Sequence, residues 1–433
     1  MVQTYLTLLG VCQSVFVQAR TGARFRQLVE AWVLCTTRRT LTGLLPFIPA
    51  AERHVHDAYH HFFQHAVWEP DLLFDGLLRV LVRRCCPDGR LTLDLDDTLH
   101  HKTGRKVVGA GWHRDAIRST AHQTVTAWGL NLIVLTLRIT PPWGGMPLGL
   151  PVRVRVHRKG TTATYFDLAE EMLRTVATVV PGCHLSVCAD GFYAALAARL
   201  PRAIAFTSRL RRDAALYDEI GYRPSGTRGR KPTKGPRLPA LSAIADEAGA
   251  LGLFSLTTAT RHQQTVDRLV YTRPVFWDTV WVRLVIVRDP DGRETDDFFV
   301  TTDLDACALA MPDHYGGRWS IELTFRDVKQ LLGGQEPQCW ADDGPARAAA
   351  LAYWLYTLVW TAFLLAAPPE QRRASQPTPW YPQKATPSFA DALTCLRRAL
   401  WHRRISAGPG ADPARAINPT DVDLLIDHAA RAA

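Results

Sequence analysis

Leu91-Thr-Leu-Asp-Leu-Asp-Asp-Thr98 alternates apolar and polar residues with a period of two, the spacing at which successive side chains of a strand face opposite ways. Leu91, Leu93, Leu95 and Asp97 then share one face, so a buried row ends in a carboxylate. A surface strand decorated with Asp94, Asp96 and Asp97 fits the same pattern. Outward from this stretch, residues 130–139 and 152–156 are rich in Val, Ile and Leu and read as strands. Residues 167–178 read as a helix, 185–189 as a strand, 193–200 as a helix and 203–207 as a strand. Strands first, then alternating strands and helices, predict an α/β fold: a mixed sheet flanked by helices.

The chain has 433 residues, 47% of them apolar, enough for a full core. Its net charge of +10 favours a polyanionic partner. The excess is local: residues 202–237 hold ten basic side chains against three acidic ones. Nine cysteines without a Cys-x-x-Cys pair argue against a zinc ribbon or a secreted disulfide framework. No signal peptide is expected, and a reducing cytoplasm fits.

Five regions are expected. Residues 1–88 are helical, with Phe25, Leu28, Val29 and Trp32 at helix spacing; they form either a helix-turn-helix DNA-binding domain or helices packed on the neighbouring α/β region. Residues 89–208 start the α/β core. Residues 209–305 form a β-rich insertion with a basic loop, residues 306–367 complete the core, and residues 368–433 comprise a Pro-rich linker and C-terminal helices opened by Ser388-x-x-Asp391. Residues 348–367 carry no charge and are about long enough to span a bilayer, but Tyr353, Tyr356, Thr357 and Thr361 suit a central core helix. His54, His56, His60, His61 and His65 include zinc-like i,i+4 spacings, yet Tyr59, Phe62 and Phe63 among them read as a packed helix.

Asp190 follows the strand at 185–189, where α/β folds present ligand-binding side chains and where a helix N-cap also places Asp. Further on, Tyr315-x2-Arg318-x3-Glu322-x6-Lys329 spaces its polar residues by 3, 4 and 7, which puts them on one helical face. Ile321, Leu323, Phe325 and Val328 are left to anchor the other face. Arg318 and Glu322 also suit an ordinary i,i+4 ion pair.

That four-residue spacing resembles the signature of insertion-sequence DDE transposases. Asp96-Asp-Thr98, Asp190-Gly-Phe-Tyr193 and Ser208 to Tyr217 occur in the family's order, and the resemblance spans roughly residues 20–400. It implies a ribonuclease-H-like core interrupted by a β insertion, with Asp97, Asp190 and Glu322 as catalytic metal ligands. A slip of one residue in the strand exchanges Asp97 for Asp96. The cofactor implied is a pair of Mg2+ ions, replaceable by Mn2+, held about 4 Å apart. Tyr315, Arg318 and Lys329 would grip DNA-end phosphates, and Trp277 or Trp281 would stack on a flipped base, packing in the core or sheet being the other role for either tryptophan. Arg228, Arg230, Lys231 and Lys234 of the basic loop would order on a DNA backbone. The expected partner is double-stranded DNA, transposon ends and target, bound by a homodimer in a cytoplasmic, nucleoid-associated setting. A nuclease without strand transfer and an inactive DNA-binding regulator are the rival readings.

Overall fold

The computed structural model describes all residues except 121, 222–232, 262–263, 278–279, 367–381, 383, 407–421, 424, 427–428 and 431–433. Five helices come first: α1 (Val2–Cys12), α2 (Ala19–Leu34), α3 (Leu41–Leu44), α4 (His56–Gln64) and α5 (Pro70–Cys85). The alternating stretch becomes β1 (Arg90–His101), followed by β2 (Gly111–Arg114), β3 (Thr126–Ile139), β4 (Leu148–His157), α6 (Tyr165–Val179), β5 (His184–Ala189) and β6 (Ile204–Arg209). Next come α7 (Leu241–Ala250), β7 (Ser255–Arg261), β8 (Gln264–Trp277), β9 (Val280–Arg288) and β10 (Asp297–Thr301). The chain then returns to helices: α8 (Met311–Gly316), α9 (Trp319–Gln330), α10 (Gly344–Ala366) and α11 (Phe389–Ser406).

β3 lies antiparallel between β4 and β1, while β5 and β6 run parallel to β1. Three antiparallel strands followed by two parallel ones, with helices on both faces, make this a ribonuclease-H-like sheet. The faces follow from strand alternation. Asp94, Asp96, Thr98 and His100 meet Ser320, Arg318, Lys329 and Tyr353, all from α9, its preceding residue and α10. Asp97, between them, meets Tyr193 on the opposite side. β10 pairs antiparallel with β6, so β10, β9, β8 and β7 continue the same sheet beyond the core. Leu216, Leu241, Ile244, Val275, Val282 and Phe298 pack a second cluster beneath these strands.

α10 explains the chargeless stretch. It is buried along nearly its whole length, with β4 on one side and α1, α4, α5 and α11 around it. A helix enclosed all round has no polar face to keep. Several of its polar groups find partners inside: Thr357 Oγ1 donates to Pro151 O at 2.7 Å and Trp354 Nε1 to Leu73 O at 3.0 Å. The N-terminal helices consequently share one continuous core with the sheet. α4 packs through Tyr59, Phe62 and Phe63, the rings of His56 and His60 and of His61 and His65 meet edge to face, and among the described residues no His, Cys, Asp or Glu group is arranged to hold a metal.

Two local expectations need correction. The helix expected at 193–200 is a tighter 3-10 helix over Gly191–Ala198. It starts directly at Asp190, whose side chain accepts from Phe192 N at 3.0 Å, and Gly191 lies so close to Arg209 O that a Cβ would stand 3.0 Å from it. On α9 the buried face uses Thr324 where Leu323 was expected: Thr324 Oγ1 donates to Gly149 O at 2.7 Å, which ties the helix to β4.

Arg153 of β4 is fully buried and pairs with Asp75 of α5, joining the helical region to the sheet. Arg153→Met strands Asp75 without its cation and should cost about 3–5 kcal/mol in urea unfolding. Adding Asp75→Leu should recover most of that loss. A single variant as stable as the parent would show that this pair does not join the two regions.

Candidate active site

The parallel register of β1 and β5 sets Leu95 beside Ala189. The pairing of the two strands stops there: Asp190 follows the last residue of β5 and stands beside Asp96, which lies midway along β1, with Asp97 next in sequence on the opposite face. α9 crosses the Asp96 face and brings Glu322. Its approach is close: a Cβ on Gly149 would lie 3.0 Å from Ser320 Oγ. Ser320 Oγ in turn donates to Asp94 Oδ2 at 3.2 Å.

The three aspartates of β1 have different surroundings, and none is a surface decoration. Asp94 is wholly buried and ion-paired with Arg138 of β3, whose Nη1 also donates to His314 O at 2.7 Å. It joins β1, β3 and α8, and its proton affinity is raised by burial against the opposing pull of Arg138. Asp96 receives Arg318 Nη1 at 2.6 Å, and the same guanidinium reaches Glu322 Oε1 at 3.6 Å. Asp97 has no cation partner among the described residues. Asn131 Nδ2 donates to its Oδ2 at 3.1 Å and the Tyr193 hydroxyl to its Oδ1 at 3.4 Å. Asn131 also donates to the Tyr165 hydroxyl at 2.8 Å.

Electrostatics tie these groups together. Burial pushes the Asp96 carboxyl well above the usual range; Arg318 opposes this, while Glu322, Asp190 and Asp97 add to it. Asp97 is raised by burial first, with Asp190 and Glu322 adding and Asn131 and Tyr193 opposing. The middle of β1, the end of β5 and α9 thus bring Asp190 and Glu322 within the field of Asp96 and Asp97. The arrangement concentrates negative charge where water is scarce, which favours either protonation or a cation. The donors are all hard carboxylate oxygens, a set that fits magnesium or manganese and not a thiophilic metal. Among the described residues they are not gathered into a ready three-ligand cage, because Arg318 lies between Asp96 and Glu322.

The other expected site residues fall in two groups. Tyr315, Arg318 and Lys329 surround the carboxylates. The Tyr315 ring packs on Phe299 with centroids 4.6 Å apart and faces the Arg318 guanidinium at 5.6 Å, and burial pushes its hydroxyl up to about 12. Lys329 Nζ donates to Thr98 Oγ1 at 2.7 Å; burial lowers its pKa while Asp115 and Glu322 act against that. Lys234 and Trp277 belong to the inserted region: Lys234 sits 4.9 Å from the Tyr217 ring centre, and Trp277 is half-buried against both hydrophobic clusters. Trp281 is the more exposed of the two tryptophans. Arg228, Arg230 and Lys231 lie outside the described residues. Asn131, Tyr165, Arg138 and Ser320 are contacts that no local spacing announces; only Tyr193 stands inside a recognisable motif.

Both Asp96 and Asp97 bind a proton more tightly in the folded chain than in the unfolded one. Their contribution to stability is therefore full below the unfolded carboxylate value and is lost as pH rises through the folded value. Asp97→Asn, in EDTA at neutral pH, should accordingly melt at a higher temperature than the parent, with the gap closing as pH falls toward the ordinary carboxylate value. A lower melting temperature for the variant would mean that Asp97 is not held at a cost.

Residues 14–271, well over half of the chain, match the family described as DDE superfamily endonuclease. The match takes in Asp96, Asp97 and Asp190 and ends before Glu322. No curated protein matches the chain. A ribonuclease-H-like sheet with acidic side chains clustered where β1 and β5 part agrees with that match, and the chain belongs to the DDE superfamily endonuclease family.

Proposed function

We propose that this chain is a DNA transposase of the Tyr-Arg-Glu-Lys group, which binds the terminal inverted repeats of an insertion sequence, cuts at its ends and joins them to target DNA. The observation that carries the reading is the convergence of β1, the end of β5 and α9, which sets Asp190 beside the Asp96-Asp97 pair and joins Glu322 to it through Arg318, in a chain of the DDE family. In this reading the three side chains, with Asp96 beside Glu322, hold two divalent ions, magnesium by preference. Bound there, such ions activate a water or a 3′-hydroxyl and stabilise the departing oxygen.

The chain's own residues orient and neutralise. Asn131 and Tyr193 cap both oxygens of Asp97, so its carboxylate is presented in one orientation. Arg318 offers a planar fork suited to phosphate, and Lys329 a point charge across the same helical face. Tyr315 backs the guanidinium. The basic loop with Lys234, and Trp277 beside it, would follow the DNA away from the cut, with a homodimer bringing two ends together. Nearly complete enclosure of α10 makes it a core element, so no membrane step enters.

A nuclease that cuts without joining would use the same carboxylates. Labelled end DNA incubated with target DNA and magnesium separates the two, because only a transposase yields a joined product. Asp97→Ala, Asp190→Ala and Glu322→Ala should each lower cleavage by at least about 100-fold while leaving end binding intact, since each removes a ligand and no phosphate contact. Full cutting by any of them refutes that residue's role. Lys329→Ala should weaken binding and reduce the salt slope of log K by about one; an unaltered slope excludes its phosphate contact.

A further inference from the structure

Arg318 does something in the DNA-free protein that a phosphate-gripping role does not explain. Its side chain is only 12% exposed, and it reaches two acidic groups from different elements, Asp96 of β1 at 2.6 Å and Glu322 of α9 at 3.6 Å. One guanidinium therefore stands between two carboxylates that would otherwise repel. Its Nε is buried and has no partner among the described residues, so its donors are not used up by this pairing. It also stands at the head of α9 just after Gly316 and Gly317, at the joint between two helices.

Resting on the metal-dependent reading above, we propose that Arg318 is a positioning residue that occupies the place of a divalent cation between Asp96 and Glu322, and releases both when a DNA phosphate takes the guanidinium. A guanidinium binds phosphate through the same planar fork that it offers a carboxylate, so the exchange keeps its hydrogen bonds. With Arg318 drawn away, Asp96 and Glu322 lose their cation and become open to another. The consequence is coupling: DNA tightens divalent-ion binding, and by linkage the ion tightens DNA binding. The metal-free enzyme is thereby kept from loading ions, and from cutting, away from DNA. The competing account makes Arg318 a permanent structural partner of Asp96, with ion binding indifferent to it.

Mn2+ binding by the full chain, read from the electron paramagnetic resonance signal of the free aquo ion, separates the two without any activity assay. The titration is run at low salt, with and without a duplex oligonucleotide, and Mn2+ taken up by the duplex alone is subtracted. For the parent, the duplex should tighten Mn2+ binding by about tenfold or more, within the usual range of coupling between two sites. Arg318→Met without DNA should already bind Mn2+ about tenfold more tightly than the parent, and the duplex should then add little. Arg318→Lys, which retains a charge and folds where the methionine variant does not, should fall between. Adding Glu322→Gln or Asp96→Asn to Arg318→Met should abolish the gain. Equal affinity in the parent and Arg318→Met, or equal tightening of both by DNA, overturns the placeholder and leaves the metal-dependent reading standing. No Mn2+ bound by any form, with or without duplex, sinks both.

Discussion

Negative charge gathered in a desolvated place is the constraint around which this protein is built. β5 ends where its parallel pairing with β1 stops, so Asp190 comes beside Asp96 and Asp97 in the middle of β1, and α9 adds Glu322 on the Asp96 side. Left alone, such a cluster would push β1, β5 and α9 apart or take up protons. The surroundings answer each charge differently. Arg138 neutralises Asp94 in the interior, Arg318 spans Asp96 and Glu322, and two neutral donors hold Asp97. Among the described residues, Asp97 alone of the three β1 aspartates is met by hydrogen bonds in place of an ion pair.

Geometry at this site depends on how firmly α9 is seated. Ser320 and Thr324 fasten it to β1 and β4, and the missing side chain of Gly149 lets it come near enough to do so. Behind α9, α10 and the N-terminal helices fill one core with the sheet, through Trp32 to Leu332 O at 2.7 Å and Trp354 to Leu73 O. The helical region is thus part of the scaffold that fixes the carboxylates, whatever else its outer surface does.

Much of this was legible in the residues because it rests on local periodicity. A period of two marked β1, the charges at 315, 318, 322 and 329 marked one face of a helix, and the chargeless stretch after 347 admitted a core helix. What stayed hidden depends on partners distant in sequence. Asp94, Asp96 and Asp97 look alike in a string, and only the register with β3 and the passage of α9 distinguish an interior ion pair, an arginine-bridged group and a capped one. Asn131 reads as one polar residue in an apolar strand until pairing sets it on the Asp97 face. Leu323 and Thr324 exchanged expected roles because the threonine hydroxyl finds the Gly149 carbonyl, a bond that hydrophobic spacing cannot foresee.

The proposal that these acidic groups act as one cation-holding centre is open to a direct measurement: anomalous diffraction at the manganese edge from crystals of the chain with end DNA and Mn2+. The account predicts manganese peaks bounded by the carboxylates of Asp97, Asp190 and Glu322. Manganese bound elsewhere, with those three side chains left uncoordinated, would contradict it.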